Sequence, residues 1–130
     1  MDSVTLDRLT QRLASLGYTY DASADIFALT MVYDKVCAHV RHACNILTIP
    51  ESLEPEIIDA VCGEFLQGLK MTGRLTGIEL EGVVKAITEG DTKVEFAAGT
   101  ASADDVLNSY LTKLATIDPS SIAAHRRLKW

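Results

Sequence analysis

The amino-acid sequence predicts a mainly α-helical fold: a small bundle of about four helices around a long central one, with a short β-hairpin or extended loop near residues 83–97. Three observations predict it. Apolar residues recur at spacings of three and four along four stretches, the mark of helices with one buried face. Gly17, Pro50, Gly73 and Pro119 fall at the ends of those stretches, where helices stop. With 130 residues, 48% of them hydrophobic, the chain has the size and apolar content of one domain with its own core.

The first helix is expected from about Ser3 to Leu16, capped by Ser3 or Thr5 and stopped by Gly17. Leu6, Leu9, Leu13 and Leu16 form its single stripe. Tyr18 to Asp21 reads as a short connection. The second helix, about Asp25 to Leu47, carries the longest stripe: Ile26, Leu29, Tyr33, Val36, Val40, Ala43 and Leu47. Met31, Val32, Cys37 and Cys44 widen its apolar surface, so this helix is expected to be the spine. Ile49-Pro50 ends it, because the residue before proline avoids helical geometry.

A third helix follows from about Pro55 to Thr72, with Pro55, Glu54 and Glu56 suited to its first turn. Its core face is Ile58, Val61, Cys62, Phe65 and Leu69, and Gly73 stops it. Leu75 to Leu80 is ambiguous between glycines. Val83–Thr88 and Lys93–Phe96 flank Glu89-Gly90-Asp91-Thr92, two β-prone runs around a turn. Gly99 to Ser102 reads as a loop, and Ser102 caps a last helix to about Ala115 with Val106, Tyr110, Leu111 and Leu114 facing inward. Pro119 closes it. The chain thus divides into a helical domain over residues 1–118 and a basic C-terminal arm over 119–130.

Charge separates the same two parts. The net charge is −6, yet the arm holds Arg126, Arg127 and Lys129 without an acid, which leaves −9 for the rest. An acidic body argues against general nucleic-acid binding, whose affinity comes mostly from basic groups on phosphates. No apolar run approaches the ~18 residues of a membrane span. The acidic start, Met1 to Asp7, lacks the apolar segment of a secretory signal, so work in the cytoplasm is expected. Three cysteines, Cys37, Cys44 and Cys62, cannot all pair, and in a reducing compartment they read as small buried hydrophobes.

Cys37-x-His39-x-x-His42-x-Cys44 has the composition of a zinc site but not its geometry. At about 100° per residue, the two thiols fall within some 20° of each other and the imidazoles roughly 140–200° away. One zinc needs ligands converging within about 2.3 Å. No metal or cofactor is expected. There is no Gly-x-Ser-x-Gly turn, and Gly73-Arg74-Leu75-Thr76-Gly77 lacks the lysine-serine continuation of a phosphate loop. Glu79 with Glu81, and Asp104 with Asp105, read as solvated faces. Nothing assembles a nucleophile, a base and an oxyanion site, so no enzymatic activity is expected.

Two features suggest contacts with other chains. The hairpin alternates Asp91, Lys93 and Glu95 with Val94 and Phe96, which offers an edge to a neighbour. The arm, His125, Arg126, Arg127, Leu128, Lys129 and Trp130, combines Trp and Arg, the residue types that dominate binding hot spots.

Leu47-x-Ile49-Pro50-Glu51, then Val61-x-Gly63-Glu64-Phe65-Leu66, then Glu89-Gly90-Asp91-Thr92-Lys93-Val94-Glu95-Phe96, and the ending Arg126-Arg127-Leu128-Lys129-Trp130, together resemble the small head–tail connector (adaptor, head-completion) proteins of long-tailed siphophages and prophages. The resemblance runs in one order from about Ile26 to Trp130. It implies a structural virion protein in the neck, made in the host cytoplasm. It also implies a ring of copies beneath the portal that matches the portal's symmetry, and it allows the free protein to be a monomer. That ring would extend the DNA channel without gripping the genome specifically, and would dock a neck, stopper or tail-completion protein. By the same resemblance His125–Trp130 would reach for the portal, while Asp91–Phe96 would meet a neighbouring subunit or line the channel. An acidic channel would suit passage by repelling DNA. A second reading is a small helical regulator that uses its basic tail on nucleic acid.

Overall fold

The computed structural model describes residues 3–73 and 103–126. Among them the chain is mainly helical: α1 Ser3–Ser15, α2 Ala22–Cys44, α3 Glu54–Met71, α4 Ala103–Ala115 and α5 Pro119–His125, with a 3₁₀ turn at Glu51–Leu53 before α3. No strand occurs among the described residues. The hairpin expected near residues 83–97, the loop at 99–102 and the Ser102 cap lie outside them, as does the side chain of Val106.

Each helix end follows from a residue. The α1 helix closes with Gly17 at φ 87°, where the Tyr18 N–H donates to the Leu13 carbonyl and the Gly17 N–H to that of Ala14. These two bonds satisfy carbonyls the last turn would leave bare. The same arrangement ends α2, with Asn45 at φ 54° and the Ile46 N–H donating to the Arg41 carbonyl. The helix therefore stops at Cys44, ahead of the Ile49-Pro50 expected to end it. It also begins earlier than expected, because Asp21 caps it by accepting from the Ser23 N–H at 3.0 Å. Pro55 stands in the first turn of α3, and Gly73, at φ 77°, follows its end.

The spine is α3, not α2. Ile57, Ile58, Ala60, Val61, Cys62, Gly63, Phe65, Leu66 and Leu69 are all buried, which covers most of the helix's circumference. A helix apolar all round must be enclosed, and α3 meets α1, α2, α4 and the 3₁₀ turn. By contrast, α2 buries one side only, through Leu29, Val36, Cys37, Val40 and Cys44. Three expected core residues point outward: Ile26 and Met31 are exposed, and Leu47 lies beyond the helix end at 95% exposure. The leucines Leu9, Leu13 and Leu16 seat α1 as expected. Tyr18 meets Phe65 edge to face, with ring centroids 5.8 Å apart. Arg8–Glu54 and Arg12–Asp59 tie α1 to α3, and Lys35–Glu64 ties α2 to it. All are partly exposed and contribute little beside the core.

Two helices approach closely at Gly63. A Cβ there would lie 2.7 Å from the Ala115 nitrogen, 2.7 Å from the Leu114 Cβ and 2.9 Å from the Leu111 carbonyl oxygen. Two of these are backbone atoms that cannot swing aside, so α4 crosses α3 at a distance only glycine permits. Side-chain bonds flank the crossing: Gln67 donates to the Thr112 hydroxyl at 3.0 Å and Lys70 to the Asn108 amide oxygen at 2.6 Å. Five residues on, Gly68 has nothing within 4 Å of the same construction. The two glycines should therefore respond oppositely. In urea unfolding, Gly63→Ala is expected to lose about 1–3 kcal/mol through overpacking. Gly68→Ala is expected to gain about 0.5–1 kcal/mol from helix propensity. Equal effects at both positions would contradict the close crossing.

Candidate functional site

The C-terminal arm leaves the bundle from a clasp built by its own first residues. Asp118 caps α5 by accepting from the Ser120 N–H at 2.9 Å, and its bonds from Ser120 hold the carboxyl below the usual range. Pro119, at the first helical position, needs no N–H partner. Residues 119–125, the first part of the expected arm, are thus a helix on the bundle. Ile122 packs against the core, and the Cys44 thiol donates to its carbonyl at 3.7 Å.

Four side chains then close the end. Ser121 Oγ donates to Glu56 Oε1 at 2.7 Å. His125 Nδ1 lies 2.9 Å from the Ser121 carbonyl, which can only accept, so Nδ1 carries the proton. In the neutral ring, Nε2 is then the acceptor for the Ser52 hydroxyl at 2.7 Å. Glu56 Oε2 is buried without a partner among the described residues. The hydroxyl and imidazole have the polarity of a nucleophile and its base. Acyl transfer also needs oxyanion donors converging on a substrate position, and what this arrangement does is anchor α5 to the start of α3. His125, expected to reach a partner, is thereby held within its own chain. Arg126 follows in extended conformation and is exposed. Arg127, Leu128, Lys129 and Trp130 lie outside the described residues, as do Asp91, Lys93, Val94, Glu95 and Phe96.

A second surface lies on α2. Phe27 is 76% exposed and Met31 55%, one turn apart and nearly opposite the stripe that meets α3; Ile26 borders them. Asp34, exposed, lies within about 20° of Phe27 around the helix. Lys35 is engaged with Glu64. Sequence periodicity missed this face, because it assigned Ile26 and Met31 to the core and left Phe27 unassigned. The available signal was Phe27 standing half a turn from the stripe, where a core helix places polar residues.

The first turn of α2 holds the one buried charged residue among those described, Asp25. It accepts from the Tyr18 hydroxyl at 2.7 Å and from the Asp21 N–H at 3.0 Å. Burial pushes the Tyr20 phenol up, with Asp25 and Asp21 adding to the effect. Its role is to join two helices, and the sequence reading saw Asp25 only as a helix start.

The Cys37/His39/His42/Cys44 cluster divides as helical phase requires: both thiols buried, both imidazoles exposed. Among the described residues, no group of three or more histidine, cysteine or acidic side chains is placed to hold a metal. Nor is any described helix long and apolar enough to cross a membrane. No family model matches the chain, and neither a curated protein nor a solved structure does so.

Burial governs the thiols. It pushes Cys62 up to about 12, and its S–H donates to the Leu9 carbonyl at 3.7 Å; burial also raises Cys37. Ellman's reagent at a pH of about 8 is therefore expected to find no fast thiol in the native protein and all three after urea. A rapid native titre of one equivalent or more would contradict the packing.

Proposed function

We propose that the chain is a structural virion protein of a long-tailed phage or prophage: a non-enzymatic head–tail connector that forms a ring beneath the portal, extends the DNA channel and docks the next neck or tail component. The observation that carries this reading is the ordered set of sequence motifs, above all Gly90-Asp91-Thr92-Lys93-Val94-Glu95-Phe96 and the Arg126-Arg127-Leu128-Lys129-Trp130 ending. A helical bundle with a basic arm rooted at one end and an apolar face elsewhere is physically suited to it. A ring requires heterologous contacts, in which one patch meets a different patch on the next copy. An acidic body and a basic, aromatic arm provide complementary partners for such contacts.

The arm would be the portal anchor, and the clasp refines where to cut it. Removing Ile122 would strip a residue packed on the core, so the informative truncation ends at His125. Purified full-length protein mixed with its phage's portal is expected to give a ring stacked on the portal in electron micrographs, and the truncated chain is expected to give none. Stacking by neither, with an intact portal, would overturn the connector reading. DNA binding that weakens with salt and is lost in Arg126→Ala/Arg127→Ala would instead favour the regulator.

A further inference from the structure

We infer that the exposed apolar face of α2 around Phe27 and Met31 is the receiving site for the C-terminal arm, Arg126–Trp130, of a second copy of this chain. Three observations converge on that occupant.

The face is built like one half of a contact. Phe27 and Met31 form an apolar ridge turned away from the core, with the exposed carboxylate of Asp34 beside it, within about 20° of Phe27 around the helix. The neighbouring Lys35 is neutralised by Glu64. Arg41 shares the outer side but lies two turns beyond Asp34, along the helix away from Phe27 and Met31.

The arm has the matching chemistry. Arg126, Arg127 and Lys129 supply cations, while Leu128 and Trp130 supply apolar bulk, and the segment contains no acid. Trp130 against Phe27 and Met31 would add aromatic and sulfur–aromatic contact to the area buried. The arginines would meet Asp34.

Reach decides which copy supplies it. The Ile122 carbonyl lies beside Cys44, so the arm is rooted at the C-terminal end of α2. Phe27 stands 17 residues earlier, about 25 Å away along the helix axis. Five residues span at most about 17 Å when fully extended, and His125 is fixed to Ser52. The arm falls short of its own Phe27, and so it docks in trans. Each copy then offers an arm at one end and a face at the other, a head-to-tail contact that propagates. Closure of that contact into a ring rests on the connector reading; the pairwise contact does not.

Trp130 is the only tryptophan in the chain and reports on the arm directly. Full-length protein taken from the micromolar range to about 1 mM is expected to gain mass in sedimentation while its tryptophan emission moves to the blue. Phe27→Glu, at an exposed position, is expected to weaken association about tenfold or more with an unchanged unfolding transition; Met31→Glu repeats the test. The decisive arm is complementation. Phe27→Glu keeps an arm and lacks a face, whereas the chain ending at His125 keeps a face and lacks an arm. Each alone should stay monomeric, and the mixture should form a heterodimer with blue-shifted emission. Full-length protein monomeric at 1 mM, association that survives Phe27→Glu, or self-association of the armless chain would each overturn the inference. Self-association that is lost in Phe27→Glu, with no portal stacking by the full-length chain, would overturn the connector reading alone; self-association that survives Phe27→Glu, with portal stacking by the full-length chain, would overturn the docking site alone.

Discussion

The contact between α3 and α4 at Gly63 is the constraint on which the rest of the structure depends. With no side chain at that position, the two backbones approach until a methyl group would overlap the Ala115 nitrogen and the Leu111 carbonyl oxygen. That approach encloses α3, brings Leu111 into the core and sets where Ala115 ends α4. The chain then turns through Ile117 and Asp118 into α5, so the crossing also determines where the arm begins. Around it, burial of aliphatic side chains supplies the favourable energy. The ion pairs to α3, at the surface, position helices rather than hold them together.

The clasp converts that position into a direction. Glu56, Ser121, His125 and Ser52 link α5 to the start of α3 through hydrogen bonds, and the Cys44 thiol adds one from α2. Hydrogen bonds of this kind contribute modestly to stability, on the order of 1 kcal/mol each. Their effect is geometric. They bring the chain past the bundle to an exposed Arg126, at the end opposite the apolar face of α2. The buried Asp25 with Tyr18 does similar work at the other end, fixing the turn from α1 to α2.

Much of the fold was legible in the sequence. The stripe Leu9, Leu13 and Leu16 is buried as its spacing required, and so are Ile58, Val61, Cys62, Phe65 and Leu69. The division of the Cys37–Cys44 cluster into buried thiols and exposed imidazoles followed from helical phase alone. Stop signals at Gly17 and Gly73 held because a left-handed residue is a local requirement. Asp118-Pro119 is equally local, a cap followed by a first-turn proline, but Pro119 by itself reads as the end of one helix as readily as the start of the next.

What the sequence by itself determined is therefore what depends on neighbours in the chain: helix positions, their apolar phase and most of their ends. Tertiary structure decided which helix is central, since periodicity ranks faces within a helix but not the number of partners each helix finds. It decided that Gly63 is a contact and Gly68 is not, although both are glycines in one helix. It also decided that Ile26 and Met31 stay outside, because an apolar side chain is buried only where another element arrives to cover it. Joining Ser52 to His125, and separating the arm from Phe27, are likewise facts of assembly: both are distances between residues far apart in sequence, which no local pattern encodes.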